Sequence, residues 1–315
     1  MSVFVQQQHT VCSFTTSDSW VILSPIEQSI KQKIEAVGTP LKDWDIQINY
    51  GIKTGYNDAF IIDTDKRNEI LSQTADYVMG QSLKDYDPNG EYARTAELIR
   101  PILRGRDIKR YGYNWAGLYL IATFPSRHYD IEKYPAVKNY LLEFGIERLE
   151  QTGKSYIING ETIKARKKTN NKWFETQDSI SYWEDFFKPK IMFQEIVQES
   201  QFCYDDKGLM CNDTGRIIVG NNLEYLLGVM NSKLFFFAVK TFYGGGVLGE
   251  HGIRMKHTFF EKFHCVEVDD KIKSVADALA KAPNNTLIDC FEHILYQQYE
   301  LSSEEIKLIE SQYIQ

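Results

Sequence analysis

The spacing of apolar residues switches repeatedly between a helical and a strand-like period along these 315 residues. Ile26, Ile30 and Ile34 recur at the spacing of one helix face, whereas residues 44–49 alternate as a half-buried strand does. Helical spacing returns at 134–150, at 223–239 and in two amphipathic stripes after residue 268. Further strand-like runs lie at 59–62, 112–124, 190–193, 202–204 and 216–220. The chain therefore mixes helices and strands, without an internal repeat of fixed period.

The first predicted helix has clear boundary signals. Ser24 is suited to the N-cap, Pro25 to the first helical position, and Glu27 to the third position of a capping box. Gly38 ends the helical pattern. The segment 51–57, which follows the first strand, is rich in turn-forming residues, so we expect a shaped loop between two strands.

Composition indicates a globular protein with a substantial core. The chain is 43% hydrophobic and 13% aromatic, and its length lies between one large domain and two ordinary ones. No apolar run reaches the ~18 residues of a membrane span, and no signal peptide is evident at the N-terminus. We therefore expect a cytoplasmic protein with no membrane partner.

The cysteines favour neither a disulfide framework nor a zinc site, because they are odd in number, widely spread and without a Cys-x-x-Cys pair. We expect reduced thiols. The five are Cys12, Cys203, Cys211, Cys265 and Cys290.

Charge is unevenly distributed in this chain. The formal net charge of −7 at first sight opposes nucleic-acid binding, because lysine and arginine supply most non-specific affinity for phosphates, but the distribution of charge matters more than its sum. Two local stretches are nevertheless basic. The first contains Arg100, Arg104, Arg106, Lys109 and Arg110 with Asp107 as its acid, and the second contains Lys164, Arg166, Lys167, Lys168 and Lys172. The alternative is that both are simply solvated loops.

Aromatic residues interleave with these cations around residues 109–113 and 172–174. Aromatic faces beside cations suit stacking and phosphate contact in nucleic-acid binding. Aromatic-rich strands are also typical of a packed core, so composition leaves both interpretations open.

Motifs for catalysis are poorly supported. Residues 244–249 match G-x-G-x-x-G, but a helical pattern precedes them where a dinucleotide site needs a strand, and we expect a glycine loop. No two prolines are adjacent, which excludes the Pro-Pro signature of amino-methyltransferases. Glu305-Ile306-Lys307 fits only half of a metal-dependent nuclease motif and lies in a predicted helix. The six histidines have no metal-binding spacing, so we expect no metal site.

Five fragments in order resemble the TaqI-like C-terminal specificity domain of type IIG restriction-modification enzymes and adenine-specific DNA methyltransferases. The likeness spans roughly residues 20–265. The fragments are Trp20–Ile34, Gly51–Phe60, Ile99–Ile108, Lys188–Ile191 and Leu226–Leu234, followed by a glycine-rich segment ending near Lys256.

This resemblance implies an α+β fold, a mixed β-sheet target-recognition domain similar to type I specificity subunits, followed by a short helical tail. The expected boundaries are an N-terminal segment and connecting helix at 1–45, the recognition domain at 46–268 and the helical segment at 269–315. It also implies that double-stranded DNA and the methyltransferase and nuclease region of the same enzyme are partners. S-adenosylmethionine and Mg²⁺ are expected on that other region, so we expect no catalytic residue and no cofactor on this chain.

The residues themselves suggest where DNA would be contacted. We expect phosphate contacts from Lys53 and Thr54 on the first loop and from the first basic stretch. Base contacts are expected from Tyr56, Asn57 and the second basic stretch. The full predicted set is Lys53, Thr54, Tyr56, Asn57, Arg104, Arg106, Lys109, Arg110, Arg166, Lys167, Lys168, Asn170 and Asn171.

Two local alternatives and one general alternative remain open. Arg106 and Asp107 could form an ion pair that fixes the turn, and Asn231 could cap or bend its helix. The whole chain could instead be a protein-interaction module or subunit-docking domain without direct DNA contact. Salt sensitivity of binding separates this reading from DNA recognition.

Overall fold

The computed structural model describes residues 22–244, 247–248 and 252–313. Several residues singled out in the sequence lie outside these ranges. They are His9, Cys12, Trp20, Val21, Gly245, Gly246, Gly249 and His251.

Helices and strands alternate irregularly along the chain. The helices are α1 Pro25–Ala36, α2 Asn57–Phe60, α3 Thr64–Ser72, α4 Glu91–Leu98, α5 Pro135–Leu142, α6 Ile146–Leu149, α7 Leu223–Met230, α8 Lys233–Ala238, α9 His257–Phe260, α10 Asp270–Lys281, α11 Asn285–Gln298 and α12 Ser303–Ser311. The strands are β1 Thr39–Pro40, β2 Ile46–Tyr50, β3 Ile61–Asp63, β4 Ile99–Leu103, β5 Ile108–Lys109, β6 Gly112–Tyr113, β7 Leu118–Ile121, β8 Ser155–Ile158, β9 Glu161–Lys164, β10 Lys190–Gln194, β11 Ile196–Val197, β12 Phe202–Asp205, β13 Met210–Cys211, β14 Gly215–Gly220, β15 Val247–Leu248, β16 Gly252–Arg254 and β17 His264–Cys265.

The chain divides into two compact units. The central unit comprises residues 47–194 and 203–219, and the terminal unit comprises the described parts of 1–46, 195–202 and 220–315. This division differs from the predicted boundaries, because residues 220–268 share a core with the C-terminal helices. Tyr225 of α7 packs its ring 6.2 Å from that of Phe291, and the Tyr299 hydroxyl donates to the His264 carbonyl at 2.5 Å.

Two four-stranded sheets form the framework of the central unit, in the orders β13-β4-β7-β3 and β12-β10-β14-β2. The first is mixed, because β13 pairs with β4 in parallel while β4 and β3 pair with β7 antiparallel. Phe60, Ile102, Leu120 and Val137 belong to the core beside it. The predicted α+β class with a mixed sheet is confirmed.

A buried ion pair links β10 and β12 in the second sheet. Lys190 is completely buried, and its Nζ donates to Asp205 Oδ2 at 2.5 Å and to the Phe186 carbonyl at 2.6 Å. A buried charge needs such partners to avoid a large desolvation cost. Lys190, part of a fragment that carried the family resemblance, therefore has a structural role.

The terminal unit is mainly helical. The predicted capping box of α1 is present, with Ser24 and Glu27 bonded reciprocally. Glu305 completes a second capping box at α12 and pairs with Lys33 of α1 at 2.7 Å. The half-motif Glu305-Ile306-Lys307 is thus part of a helix whose acid stabilises the fold.

Two long helices predicted from the sequence are interrupted. The one at 134–150 ends as α5 and restarts as α6 after Gly145, whose φ of +81° lies in the left-handed region. The one at 223–239 ends at Met230 with Asn231 as its C-cap, and Ser232, whose backbone is extended, caps the next helix. Asn231 therefore caps its helix, as one local alternative proposed, and its side-chain amide bonds both the N–H and the carbonyl of Phe202.

Candidate nucleic-acid interface

The loop after β2 brings the backbone of the central unit into close contact with the turn before β14. A Cβ on Gly51 would lie 1.8 Å from the Asn212 carbonyl oxygen, so only glycine fits there. Ile52 then forms a parallel bridge with Asn212. Lys53, the next residue, is exposed. The segment 59–60, predicted as strand, instead ends the short helix α2.

Thr54 is fully buried, which contradicts its predicted phosphate contact. Its hydroxyl donates to Asn57 Oδ1 at 2.6 Å and accepts from the Tyr56 N–H at 3.2 Å. Tyr56 is half-buried, with its ring 4.7 Å from the Arg148 guanidinium. Asn57 is exposed at the start of α2. The loop therefore presents Lys53 and Asn57, whereas Thr54 fixes its shape.

The first basic stretch includes a turn, Arg104–Asp107, that is closed by its own side chains. Arg104 donates from Nε to Asp107 Oδ2 at 2.9 Å and from Nη2 to Oδ1 at 2.7 Å. Burial raises the pKa of Asp107, but the hydrogen bonds from Arg104 outweigh this effect and hold that pKa below its ordinary value. The partner of Asp107 is thus Arg104, which corrects the Arg106–Asp107 pair considered from the sequence. Arg106 is exposed.

Lys109 and Arg110 lie on the small hairpin β5-β6. The hairpin turns at Tyr111, whose φ is 59°, and the Arg110 guanidinium lies 5.4 Å from the Tyr111 ring centre. Both cations are half-buried. They therefore remain less accessible than Arg106.

Arg166 holds the second basic stretch in place. It is 4% exposed, and its guanidinium donates to four backbone carbonyls at 2.6–2.8 Å. Those carbonyls belong to Leu149, Thr54, Glu175 and Trp173. Burial lowers the pKa of Arg166 to about 10, which leaves the side chain charged at neutral pH. The predicted base contact from Arg166 is contradicted, because every bond it makes would have to break first.

The residues after Arg166 are fixed by side-chain amides. Gln151 Oε1 accepts from the Thr169 hydroxyl at 2.7 Å, and Gln151 Nε2 donates to the Glu175 carbonyl at 3.0 Å. Asn171 donates to the Gln177 carbonyl at 2.8 Å, so its amide is engaged in the fold. Lys167, Lys168 and Asn170 are exposed on this ordered loop.

Backbone hydrogen bonds bring these segments side by side within the central unit. The Asn212 N–H donates to the Leu103 carbonyl at 3.0 Å, and the Gly105 N–H donates to the Thr214 hydroxyl at 2.9 Å. On the other side of the Ile52–Asn212 bridge, the Gln177 N–H donates to the Lys53 carbonyl at 3.1 Å. We call the resulting surface the basic edge. Its exposed cations are Lys53, Arg106, Lys167 and Lys168.

Two carboxylates at the basic edge were not singled out from the sequence. Burial raises the pKa of Asp178, Lys53 and Lys167 act to lower it, and Asp213 acts to raise it. Lys53, Lys167 and Asp213 therefore each lie within electrostatic range of Asp178. Their adjacency depends on contacts between distant segments, so no local pattern marks it.

The hairpin β8-β9 was also missed, although a signal for it exists. The dipeptide Asn159-Gly160 separates two runs of β-forming residues, which is a strong hairpin pattern. Its residues have φ values of 51° and 83°, as a tight primed turn requires.

Other chemistry is not evident among the residues that the structure describes. Within them, no group of three or more histidine, cysteine or acidic side chains could hold a metal ion. No helix in the same ranges is long and apolar enough to cross a membrane. Gly244 follows a helical turn at Val239–Tyr243 rather than a strand.

Comparison with solved structures relates this fold to restriction-modification enzymes. The type IIG restriction endonuclease BpuSI matches with a TM-score of 0.53 and 14% identity, over 91% of this chain and 31% of the enzyme. The type IIL restriction-modification enzyme MmeI, solved in complex with DNA, gives a TM-score of 0.47 and 14% identity, over 87% of this chain and 33% of its own. The chain thus spans about a third of the length of each enzyme. At this identity the BpuSI match is evidence of a shared fold.

The family match is more specific. Residues 100–247 match the TaqI-like C-terminal specificity domain, a region that includes both basic stretches and Asn231. The resemblance drawn from the sequence fragments is therefore confirmed. The family match supports a target-recognition role in restriction-modification.

Proposed function

We propose that this chain recognises a short sequence in double-stranded DNA, as the specificity part of a type IIG restriction-modification enzyme. In this proposal methyl transfer to adenine, DNA cleavage, S-adenosylmethionine and Mg²⁺ belong to another region of the enzyme, which is also its partner. The chain itself binds and positions DNA and supplies no catalytic group.

The basic edge is the observation that carries the proposal. Cations from three separate segments, Lys53, Arg106 and the pair Lys167–Lys168, are exposed on loops that hydrogen bonds tie together. Residues 211–215 bond the first two loops, and the Arg166 guanidinium bonds the Thr54 carbonyl. A group of cations held on such loops suits contact with successive phosphates, and each contact releases bound counterions. The net charge of −7 does not oppose this, because phosphate contact depends on the local distribution of charge.

Binding to random-sequence duplex DNA over a range of salt concentrations tests the proposal. We expect affinity to fall steeply with salt, with each phosphate contact contributing about 0.9 to the logarithmic slope. Changing Lys53, Arg106, Lys167 and Lys168 together to Gln should reduce the slope by about 3 to 4 and weaken binding by roughly 100-fold at ~100 mM salt.

A control with the same change of charge is available in the terminal unit. Lys262, Lys271, Lys273 and Lys281 are exposed there, and their replacement by Gln should leave affinity within about threefold of the unchanged chain. Equal losses in the two quadruple variants would mean that only net charge matters and would exclude the basic edge as the interface. Binding that does not respond to salt would contradict DNA recognition itself.

One surface favours the alternative of a protein-interaction module. Val78, Met79 and Leu83 are 52%, 87% and 53% exposed on a loop fastened by the Tyr86 hydroxyl, which bonds the Val78 N–H and carbonyl. Exposed apolar groups on an ordered loop suit contact with another protein region. This alternative predicts no salt-sensitive DNA binding, so the same titration separates the two.

A further inference from the structure

The hairpin β8-β9 forms a two-stranded ribbon of its own. Its strands pair antiparallel from Ser155 opposite Lys164 to Ile158 opposite Glu161. Among the described residues neither strand joins a larger sheet. The ribbon therefore depends on one packed face for its position, because isolated hairpins are marginally stable.

The two faces of this ribbon differ sharply. Residues opposite each other in an antiparallel pair share a face, and successive residues alternate. One face carries half-buried Tyr156, Ile158 and Ile163, and the Tyr156 hydroxyl donates to Glu150 at 2.7 Å. This packed face attaches the ribbon to the central unit.

The other face is fully exposed and holds no acid. Its residues are Ser155, Ile157, Thr162 and Lys164. Ile157 is 81% exposed and lies directly opposite Thr162. The side chains of this face are therefore accessible to a partner.

The base of the ribbon, here called its root, comprises residues 153–154 and 164–168 and is both hydrogen-bonded and basic. The Gly153 N–H donates to the Arg166 carbonyl and the Ala165 N–H donates to the Lys154 carbonyl, each at 2.9 Å. Buried Arg166 anchors this junction. The exposed lysines at or next to it are Lys154, Lys164, Lys167 and Lys168.

We propose that this ribbon enters a groove of the bound duplex and that Ile157 and Thr162 contact base edges there. The inference rests on the proposed function and makes these two residues determinants of specificity. A two-stranded ribbon fits the major groove, where a threonine hydroxyl can bond base edges and an apolar side chain can contact the thymine methyl group. The lysines at the root contact phosphates beside that groove.

The positive charge on and around this face favours DNA over another protein as its partner. The cores of protein interfaces are depleted in lysine, whereas this face includes Lys164 and lies beside exposed Lys154, Lys167 and Lys168. Phosphates complement those lysines while the bases complement the uncharged residues. Glu161, the acid of the ribbon, is exposed but belongs by register to the opposite face.

The test is selection of duplexes from a randomised pool on the whole chain, followed by affinities for the enriched and random duplexes. The test variant is Ile157→Ala with Thr162→Ala. Its matched control in the terminal unit is Ile196→Ala with Thr258→Ala, which also removes one exposed isoleucine and one exposed threonine. Circular dichroism checks that both variants remain folded.

We expect the original chain and the control to prefer the enriched duplex equally. The test variant should lose about 10- to 100-fold of that preference, because a lost base contact acts only on the specific complex. Its affinity for random duplex should stay within about threefold, since the phosphate contacts remain. Selection on the test variant should also give a motif that is relaxed at one or two positions.

Several results would overturn the inference. An unchanged preference, or an equal loss on enriched and random duplexes, would exclude base contact by this pair while leaving DNA recognition intact. Salt-sensitive binding without any enriched motif would do the same. Failure of the original chain to retain any duplex at low salt would overturn the proposed function together with this inference.

Discussion

Each of the two basic stretches contains an arginine that holds its own loop, but the two arginines lie in different surroundings. Arg104 is half-exposed and pairs with one carboxylate, Asp107, three residues away. Arg166 is buried and donates to four backbone carbonyls from three segments, one of which is 112 residues distant. The comparison shows that a basic stretch contains more cationic side chains than it leaves exposed and unpaired. It also shows that the second stretch depends on long-range contacts for its shape.

The largest expected effect, on both the free energy of unfolding and DNA binding, comes from changing Arg166→Met. This change removes the donor from the Leu149, Thr54 and Trp173 carbonyls, while the Glu175 carbonyl keeps its bond from Gln151. Breaking a buried charged network costs about 3–5 kcal/mol. Urea unfolding should show that loss, and DNA binding should fall because the loop bearing Lys167 and Lys168 is no longer held. Lys167→Met is the control, since an exposed substitution changes stability by only about 0.5 kcal/mol. A loss below ~1 kcal/mol for Arg166→Met would mean that water replaces the guanidinium.

A smaller loss in the free energy of unfolding is expected for Arg104→Gln. A partly exposed bidentate pair contributes about 0.5–1.5 kcal/mol at neutral pH. Because the pKa of Asp107 is lowered in the folded protein, this contribution is present above the unfolded pKa of roughly 4 and is lost as pH falls through the lower folded pKa. Urea unfolding of the original chain and the variant should therefore differ at pH 7 and converge near pH 2.

Arg106→Gln is the matched comparison for that variant. Arg106 is exposed beside the same turn, so its loss should leave unfolding unchanged and weaken DNA binding. The opposite result, in which Arg106→Gln destabilises the chain and Arg104→Gln does not, would reverse the roles assigned to these neighbours.

The smallest expected effect is an increase in DNA affinity. Asp178 lies among the cations of the basic edge, and its side chain would repel a bound phosphate. Asp178→Asn should tighten binding to random duplex by about threefold, because unit charges ~7 Å apart interact by about 0.6 kcal/mol in water. Filter binding at low salt measures this change. Weaker binding by the variant would indicate that the carboxylate orients Lys53 or Lys167.

Much of the fold was predictable wherever the local sequence determines the secondary structure of a segment. Strands β10, β12 and β14 lie within one residue of the runs predicted for them, and the capping box of α1 occurs as expected. The helix at 223–239 was predicted too long, because the backbone is extended at Ser232, which caps a new helix by accepting from the Phe235 N–H. Asn231, at the end of the first helix, bonds the backbone of Phe202, and that contact, 29 residues away, has no counterpart in the local pattern.

The candidate site was predictable in position but not in detail. Lys53, Asn57, Arg106, Lys167, Lys168 and Asn170 are exposed as a DNA-contacting residue must be. Thr54 and Arg166 also carry groups that can bond DNA but are buried, and the amide of Asn171 is bonded to the Gln177 carbonyl. Residue type therefore predicted the loops of the basic edge but not which of their residues are exposed.

The sequence by itself determined the periods of the helices and strands, the cap of α1 and the location of two basic stretches in an acidic chain. These features depend on neighbours within a few residues, which is the range over which hydrophobic spacing, capping and local charge operate. Only the tertiary structure decided which cations remain exposed and that three segments form one basic edge. Burial and hydrogen bonding join groups far apart in the sequence, as between Arg166 and Thr54, so they are set when the chain folds.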